Sequence, residues 1–265
     1  MEVDSMFGLD NKKRRTHASD KEDMGRILNE STPFAVREAY RALCTNTLYL
    51  PIPDKCRKLA ITSPYPGEGK TFITINLAIT LASSSSERKV LIIDADMRKS
   101  RVMRLLGSNK YAASSGLSEY LAGIDKEPNI VATEHENLDV IPSGAEAKNP
   151  AGLLNSPKMR ELITWAEENY DYVIFDTPPI NVVSDALLLN DYINGYFIAT
   201  RADYSDVNGV AQALDSLKQV DAAVFGAVLS SLEVKKRSKY QHNYTKYTYS
   251  TYDYSSKNKE KEEQN

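Results

Sequence analysis

Six short apolar runs constrain this chain more than anything else in it. They are KLAIT (Lys58 to Thr62), KVLIIDAD (Lys89 to Asp96), NLDVIPSG, YDYVIFDTPP, GYFIATRAD and AAVFGAVLSS. None alternates apolar with polar residues. Continuous runs of this length mark strands covered on both faces. Stretches with helical character separate them: an apolar helix from Thr71 to about Ser83, then PKMRELITWAEENY, SDALLLNDYI and DVNGVAQALDSLKQV. Strand and helix alternate, so the fold class is α/β, a doubly wound and mostly parallel sheet.

Between the first strand and the first of those helices stands Ser63 to Thr71, SPYPGEGKT. A G-K-T at a strand-to-helix junction points to a phosphate loop. Gly67 and Gly69 free the backbone to aim its N–H groups at phosphate oxygens, and the helix adds its positive end. Lys70 is placed to reach the β and γ phosphates, and the Thr71 hydroxyl to hold Mg²⁺. The strict G-x-x-x-x-G-K-[ST] pattern has glycine where this chain has Pro64. Asp94 and Asp96 follow one buried strand, and Asp176 follows another. Ligands of open parallel sheets bind beyond the strands' carboxyl ends. Three acids and a phosphate cradle are therefore expected in one crevice, with Mg²⁺ neutralising them. A helix-capping role would explain Asp94 or Asp96 but not all three strand ends.

The ends of the chain read differently. Residues 1–30 are polar, and residues 234–265 are polar and then charged, so both are expected to be flexible, around a domain at 31–233. Pro33 opens a helix, PFAVREAYRALCTNTLYL. Tyr240 to Tyr254 reads YQHNYTKYTYSTYDY. Six of those fifteen residues are tyrosine, against ten in the other 250. A net charge of -3 argues against general nucleic-acid binding, although KKRR at Lys12 and VKKRSK at Val234 are local basic clusters. Cys44 and Cys56 have no metal-ligand spacing and read as free thiols of a reducing compartment. There is no apolar signal core and no run near about 18 apolar residues, so a cytoplasmic chain is expected.

The ordered motifs resemble the bacterial tyrosine kinases of capsule and exopolysaccharide operons, in their stand-alone cytoplasmic form. These carry a deviant Walker A, here Pro66, Gly67, Glu68, Gly69, Lys70 and Thr71. A Walker A′ follows, Leu91 to Arg98 with Asp94, Asp96 and Arg98, and a Walker B, Val173 to Pro178 with Asp176. The family also ends in a tyrosine cluster, and GLSEYLAG and PSGAEAKNPAGLL are further similar segments. The resemblance covers roughly residues 33–254. It implies a P-loop NTPase fold of the MinD and ParA kind and ATP as cofactor with Mg²⁺. Nucleotide binding falls to Pro66 through Thr71 with Phe72, and metal binding to Thr71, Asp96 and Asp176. Asp94 is the candidate to orient or deprotonate the tyrosine, and Arg98 to stabilise phosphate charge. The implied acceptors are Tyr240, Tyr244, Tyr247, Tyr249, Tyr252 and Tyr254 of a neighbouring subunit. The implied partners are a membrane-anchored activator of the polysaccharide co-polymerase type, which recruits the kinase to the inner membrane face, a homo-oligomer or ring, a tyrosine phosphatase and protein tyrosine substrates. The implied role is control of polysaccharide polymerisation and export.

Two departures touch that resemblance. The subunit-joining E-x-x-R-x-x-R reads Glu38, Arg41 and Cys44, still at helical spacing on one face. The asparagine that contacts the base at the last core strand is replaced within Val228-Leu229-Ser230-Ser231. A partitioning ATPase of the MinD and ParA type is the alternative enzyme. Its loop lysine would fall at Tyr65, and a tyrosine tail is foreign to it. A nucleotide-gated scaffold without phosphate transfer is the non-enzymatic alternative.

Overall fold

A computed structural model describes residues 23–107 and 115–231. The expected tail and its tyrosine cluster, and residues 1–22, lie outside the described residues. The sheet has seven strands: β1 (Arg57–Thr62), β2 (Val90–Asp94), β3 (Val131–Ala132), β4 (Leu138–Ile141), β5 (Tyr172–Asp176), β6 (Gly195–Arg201) and β7 (Val224–Ser230). Their spatial order is β3-β4-β2-β5-β1-β6-β7. All neighbours are parallel except β3, a two-residue strand antiparallel to β4. The sequence reading contained six of these strands. The seventh, β3, is too short to leave a pattern.

The helices are α1 (Phe34–Leu48), α2 (Lys70–Ser83), α3 (Val102–Leu105), α4 (Leu117–Leu121), α5 (Pro150–Leu154), α6 (Pro157–Asn169) and α7 (Val207–Gln219). The stretch SDALLL, expected to be helical, is a 3₁₀ turn at Ser184–Leu189. The central strands feed two cores. Val90 and Ile92 of β2 pack on one side with α2, while Leu91 and Ile93 pack on the other with α6. Full burial of such side chains on both faces, at about 2 kcal/mol each, is why these runs are apolar throughout. α2 is buried nearly all round, from Thr71 through Ala82. It therefore shows no amphipathic stripe.

One boundary needs correction. Residues 23–30 fall in the expected flexible segment, yet they pack as a strap on α2. Ile27 is buried. The Asn76 amide holds the strap at two points: its Oδ1 accepts from Leu28 N at 2.9 Å, and its Nδ2 donates to Arg26 O at 3.1 Å. Arg101 pairs with Asp23 at 2.6 Å. Two apolar residues, Ile27 and Leu28, one buried amide and one ion pair anchor the strap, too little to show in a composition reading.

Candidate active site

β1, β2 and β5 are adjacent, and their carboxyl ends bring the expected residues together. In the β2–β5 register Asp94 lies directly across from Asp176. Two like charges at neighbouring strand ends repel, and both are out of water: Asp94 is 0% exposed and Asp176 1%. Burial and then the Asp176 charge push the Asp94 carboxyl up to about 7, against an opposing hydrogen bond from Ser100. Burial also raises Asp176, although Lys70 and Thr71 pull it back.

The phosphate loop crosses above them. Gly67 and Gly69 have φ of +87° and +91°, a region that only glycine enters without strain. A Cβ on Gly69 would also stand 2.9 Å from Ser230 Oγ. From Lys70 the helix α2 begins. Lys70 Nζ lies 3.0 Å from Asp96 Oδ2 and 4.0 Å from Asp176 Oδ2. Burial works to lower its pKa, but Asp176 and Asp96 outweigh that and raise it. Thr71 Oγ1 donates to Asp176 Oδ2 at 2.8 Å, and Thr74 Oγ1 to Asp176 Oδ1 at 3.2 Å. Asp94 accepts from Ser100 Oγ at 2.6 Å and from Asp96 N at 3.2 Å. One ammonium thus faces three buried carboxylates. Such a site gains from a further cation.

Among the described residues no group of three or more His, Cys, Asp or Glu side chains could by itself hold a metal ion. Mg²⁺ is usually held by one or two carboxylates and completes its shell with water and phosphate. The hydroxyl of Thr71, hydrogen-bonded to Asp176, and the nearby Asp96 form such a hard-oxygen set.

Other expected residues fall elsewhere. Arg98 is engaged by Asp185 through two bonds, Nε to Oδ2 at 2.7 Å and Nη2 to Oδ1 at 3.2 Å. Asp185 is buried on the 3₁₀ turn. The pair joins the loop after β2 to the segment after β5. The Phe72 ring meets two arginines: the Arg26 and Arg101 guanidinium carbons each stand 5.8 Å from its centroid. Glu68 is 1% exposed. It accepts from Tyr65 N at 2.7 Å and from the Ser205 hydroxyl, so its carboxylate organises the loop from within. On α1, Glu38 and Arg41 form an ion pair at 2.5 Å. Cys44 departs from their face and is buried in the core. The two thiols are free, as expected, and burial pushes Cys56 up to about 11.

Sequence reasoning missed Asp185, Ser100, Arg201, Tyr204 and Ser205. Asp185 had the faintest signal, an acid opening an apolar stretch after a Walker B strand. Of the others, Arg201 ends β6 and the rest are ordinary loop residues brought close by the fold. A concavity of about 470 Å³ lies at the opposite, amino end of the strands, with Arg57, Arg88 and Tyr172 among its lining. Both arginines there donate to carbonyls at helix C-termini, Arg57 to Leu48 O and Arg88 to Leu81 O. They are accounted for as caps, and the catalytic crevice remains the one at the phosphate loop.

This arrangement has relatives. The AAA domain family matches residues 56–229. "Tyrosine-protein kinase CpsD" of Streptococcus pneumoniae serotype 4 is 34% identical over 198 residues, 74% of this chain and 85% of that protein. The chain belongs to the bacterial tyrosine-protein kinase family. Among solved structures, the kinase domain of the Escherichia coli tyrosine kinase ETK is similar at a TM-score of 0.70 and 34% identity, over 77% of this chain and 78% of that one. The septum site-determining protein MinD of Pyrococcus horikoshii, complexed with Mg-ADP, gives 0.56 and 26%, over 68% and 72%. The P-loop NTPase fold and a nucleotide site at the loop accord with both. No helix among the described residues is long and apolar enough to cross a membrane.

Proposed function

We propose that this protein is an ATP-dependent protein-tyrosine kinase that phosphorylates the C-terminal tyrosine cluster of a neighbouring copy. The observation that carries this reading is the convergence of Lys70, Thr71, Asp94, Asp96 and Asp176 at three adjacent strand ends. Lys70 and the loop amides hold the nucleotide phosphates. Thr71, Asp96 and Asp176 would hold Mg²⁺, which when bound would neutralise phosphate charge. Asp94 is the proton acceptor for the incoming phenol, whose ordinary pKa near 10 makes an acceptor useful. Ser100, which donates to Asp94 Oδ2, is the relay between that buried carboxylate and the crevice. Arg98, 43% exposed and steered by Asp185, steadies the acceptor side.

The six tyrosines from Tyr240 to Tyr254 are the acceptors in this reading. Each phosphate adds about -1.5 to -2 charges, and the accumulated charge loosens an oligomer whose contacts include Glu38 and Arg41. A membrane-anchored activator brings the kinase to the membrane, a phosphatase resets it, and the output is control of capsular or exopolysaccharide polymerisation and export. A partitioning ATPase is the weaker reading, since Tyr65 stands where its signature lysine belongs. The decisive experiment is intact mass after incubation with Mg·ATP and an activator's cytosolic segment, for wild type and Lys70→Met. Steps of about 80 Da, one phosphoryl group each, mapped to the cluster and absent in the variant, support the kinase. ATP hydrolysis without added mass points to the partitioning ATPase.

A further inference from the structure

We propose that Ser230, Tyr204 and Arg201 are positioning residues of the phosphate loop, acting on its backbone and not on the nucleotide base. The inference rests on the reading of that loop as the nucleotide site. Three successive loop carbonyls each accept from a different side chain outside the loop. Tyr204 OH donates to Pro66 O at 3.0 Å, Arg201 Nη1 to Gly67 O at 3.3 Å, and Ser230 Oγ to Glu68 O at 2.9 Å. A peptide unit is planar, so a carbonyl drawn one way points the next N–H the other way. Holding these three carbonyls on the outside leaves the amides of Gly67, Glu68 and Gly69 to turn inward, the arrangement an anion nest requires.

The braces share one origin. Arg201 ends β6, Tyr204 follows it, and Ser230 ends β7. The Arg201 guanidinium also lies 5.4 Å from the Tyr204 ring centre, and Arg201 N donates to Ser205 Oγ, whose hydroxyl in turn bonds Glu68. The loop is thus fastened to the β6–β7 edge by side chain and backbone alike. The resemblance places a base-contacting asparagine at Ser230, whose one donor proton is committed to the loop. The contribution of Ser230 to affinity is therefore the same for any nucleotide, and for the phosphate chain alone.

Calorimetric titration of Tyr204→Phe, Ser230→Ala and the double variant with Mg·ATP, Mg·GTP and inorganic tripolyphosphate tests this. Each single change is expected to weaken binding about fivefold, the worth of one net hydrogen bond. The same factor should appear for all three ligands, and the double variant should lose roughly the product. In the kinase assay KM for ATP rises while kcat at saturating ATP holds. An unchanged dissociation constant in the folded double variant would overturn the proposal. So would a loss confined to ATP, which makes Ser230 a base contact, or a wild type that does not bind tripolyphosphate. Because binding is read directly, absence of tyrosine phosphorylation would sink the kinase reading while leaving this result intact.

Discussion

Two charged constellations in this protein were both suggested by residue spacing, and they behave as opposites. At the carboxyl ends of β1, β2 and β5, Lys70 is enclosed with Asp94, Asp96 and Asp176, none of the three acids more than 4% exposed. On α1, Arg41 and Glu38 form a comparably short ion pair with side chains 65% and 36% exposed. Distance does not separate them; water does. The surface pair gains little because solvent already satisfies both charges. The buried set has given up solvation and is compensated by one ammonium and a few hydroxyls. That imbalance is what a chain would accept where Mg²⁺ and a triphosphate are to be bound.

Removing the central cation should separate the two most sharply. Lys70→Met is expected to abolish phosphoryl transfer, by at least about a thousandfold. It should also cost about 3 kcal/mol of stability at pH 8 in denaturant titration, since the carboxylates lose their counter-charge. An unaltered denaturation midpoint would mean that the acids were never ionised together. Next in size is Arg98→Ala, which leaves Asp185 buried without its guanidinium. A loss of about 2 kcal/mol is expected, discounted for the exposure of Arg98, with Arg98→Lys recovering only part because one donor replaces the fork.

A smaller effect follows from protons. Asp94 has a raised carboxyl pKa, about 7. Between roughly pH 4 and pH 7 the folded, metal-free protein keeps a proton at the Asp94–Asp176 pair that the unfolded chain has released. Stability should therefore fall as pH rises through that window, and Asp94→Asn should flatten the fall. A metal-free thermal midpoint that climbed from pH 5 to pH 8 in the wild type would contradict the assignment. The smallest effect belongs to the helix: Arg41→Gln should move stability by no more than about 0.5 kcal/mol. A change above 1 kcal/mol in that measurement would make the α1 pair more than a surface contact.

The legible and illegible parts of the molecule divide along similar lines. The meeting of Lys70, Thr71, Asp94, Asp96 and Asp176 could be read in advance because the acids follow two continuous apolar strands, the phosphate loop follows a third, and a parallel sheet aligns such ends. Phe72 follows Thr71 directly, yet its ring turns to Arg26 and Arg101: on a helix, successive side chains diverge by about 100°. Cys44 misled for a related reason. Three-residue steps on a helix with 3.6 residues per turn drift by about 60° each, so the third position of the series has turned from the Glu38 and Arg41 face into the core.

By itself, then, the sequence determined the α/β class, the parallel sheet, the phosphate loop and the acids that confront it. These are local patterns: apolar runs, glycines at one turn, charges at strand ends. Only the tertiary structure decided that Asp185 takes Arg98, that residues 23–30 strap α2, and that Ser230 and Tyr204 hold the phosphate loop. Those bonds join positions 162 residues apart in the case of Ser230 and Glu68, and 87 in the case of Arg98 and Asp185. No periodicity links such positions. Ser230 meets Glu68 only once the sheet has set β1, β6 and β7 side by side, and Arg98 meets Asp185 only once β2 lies beside β5.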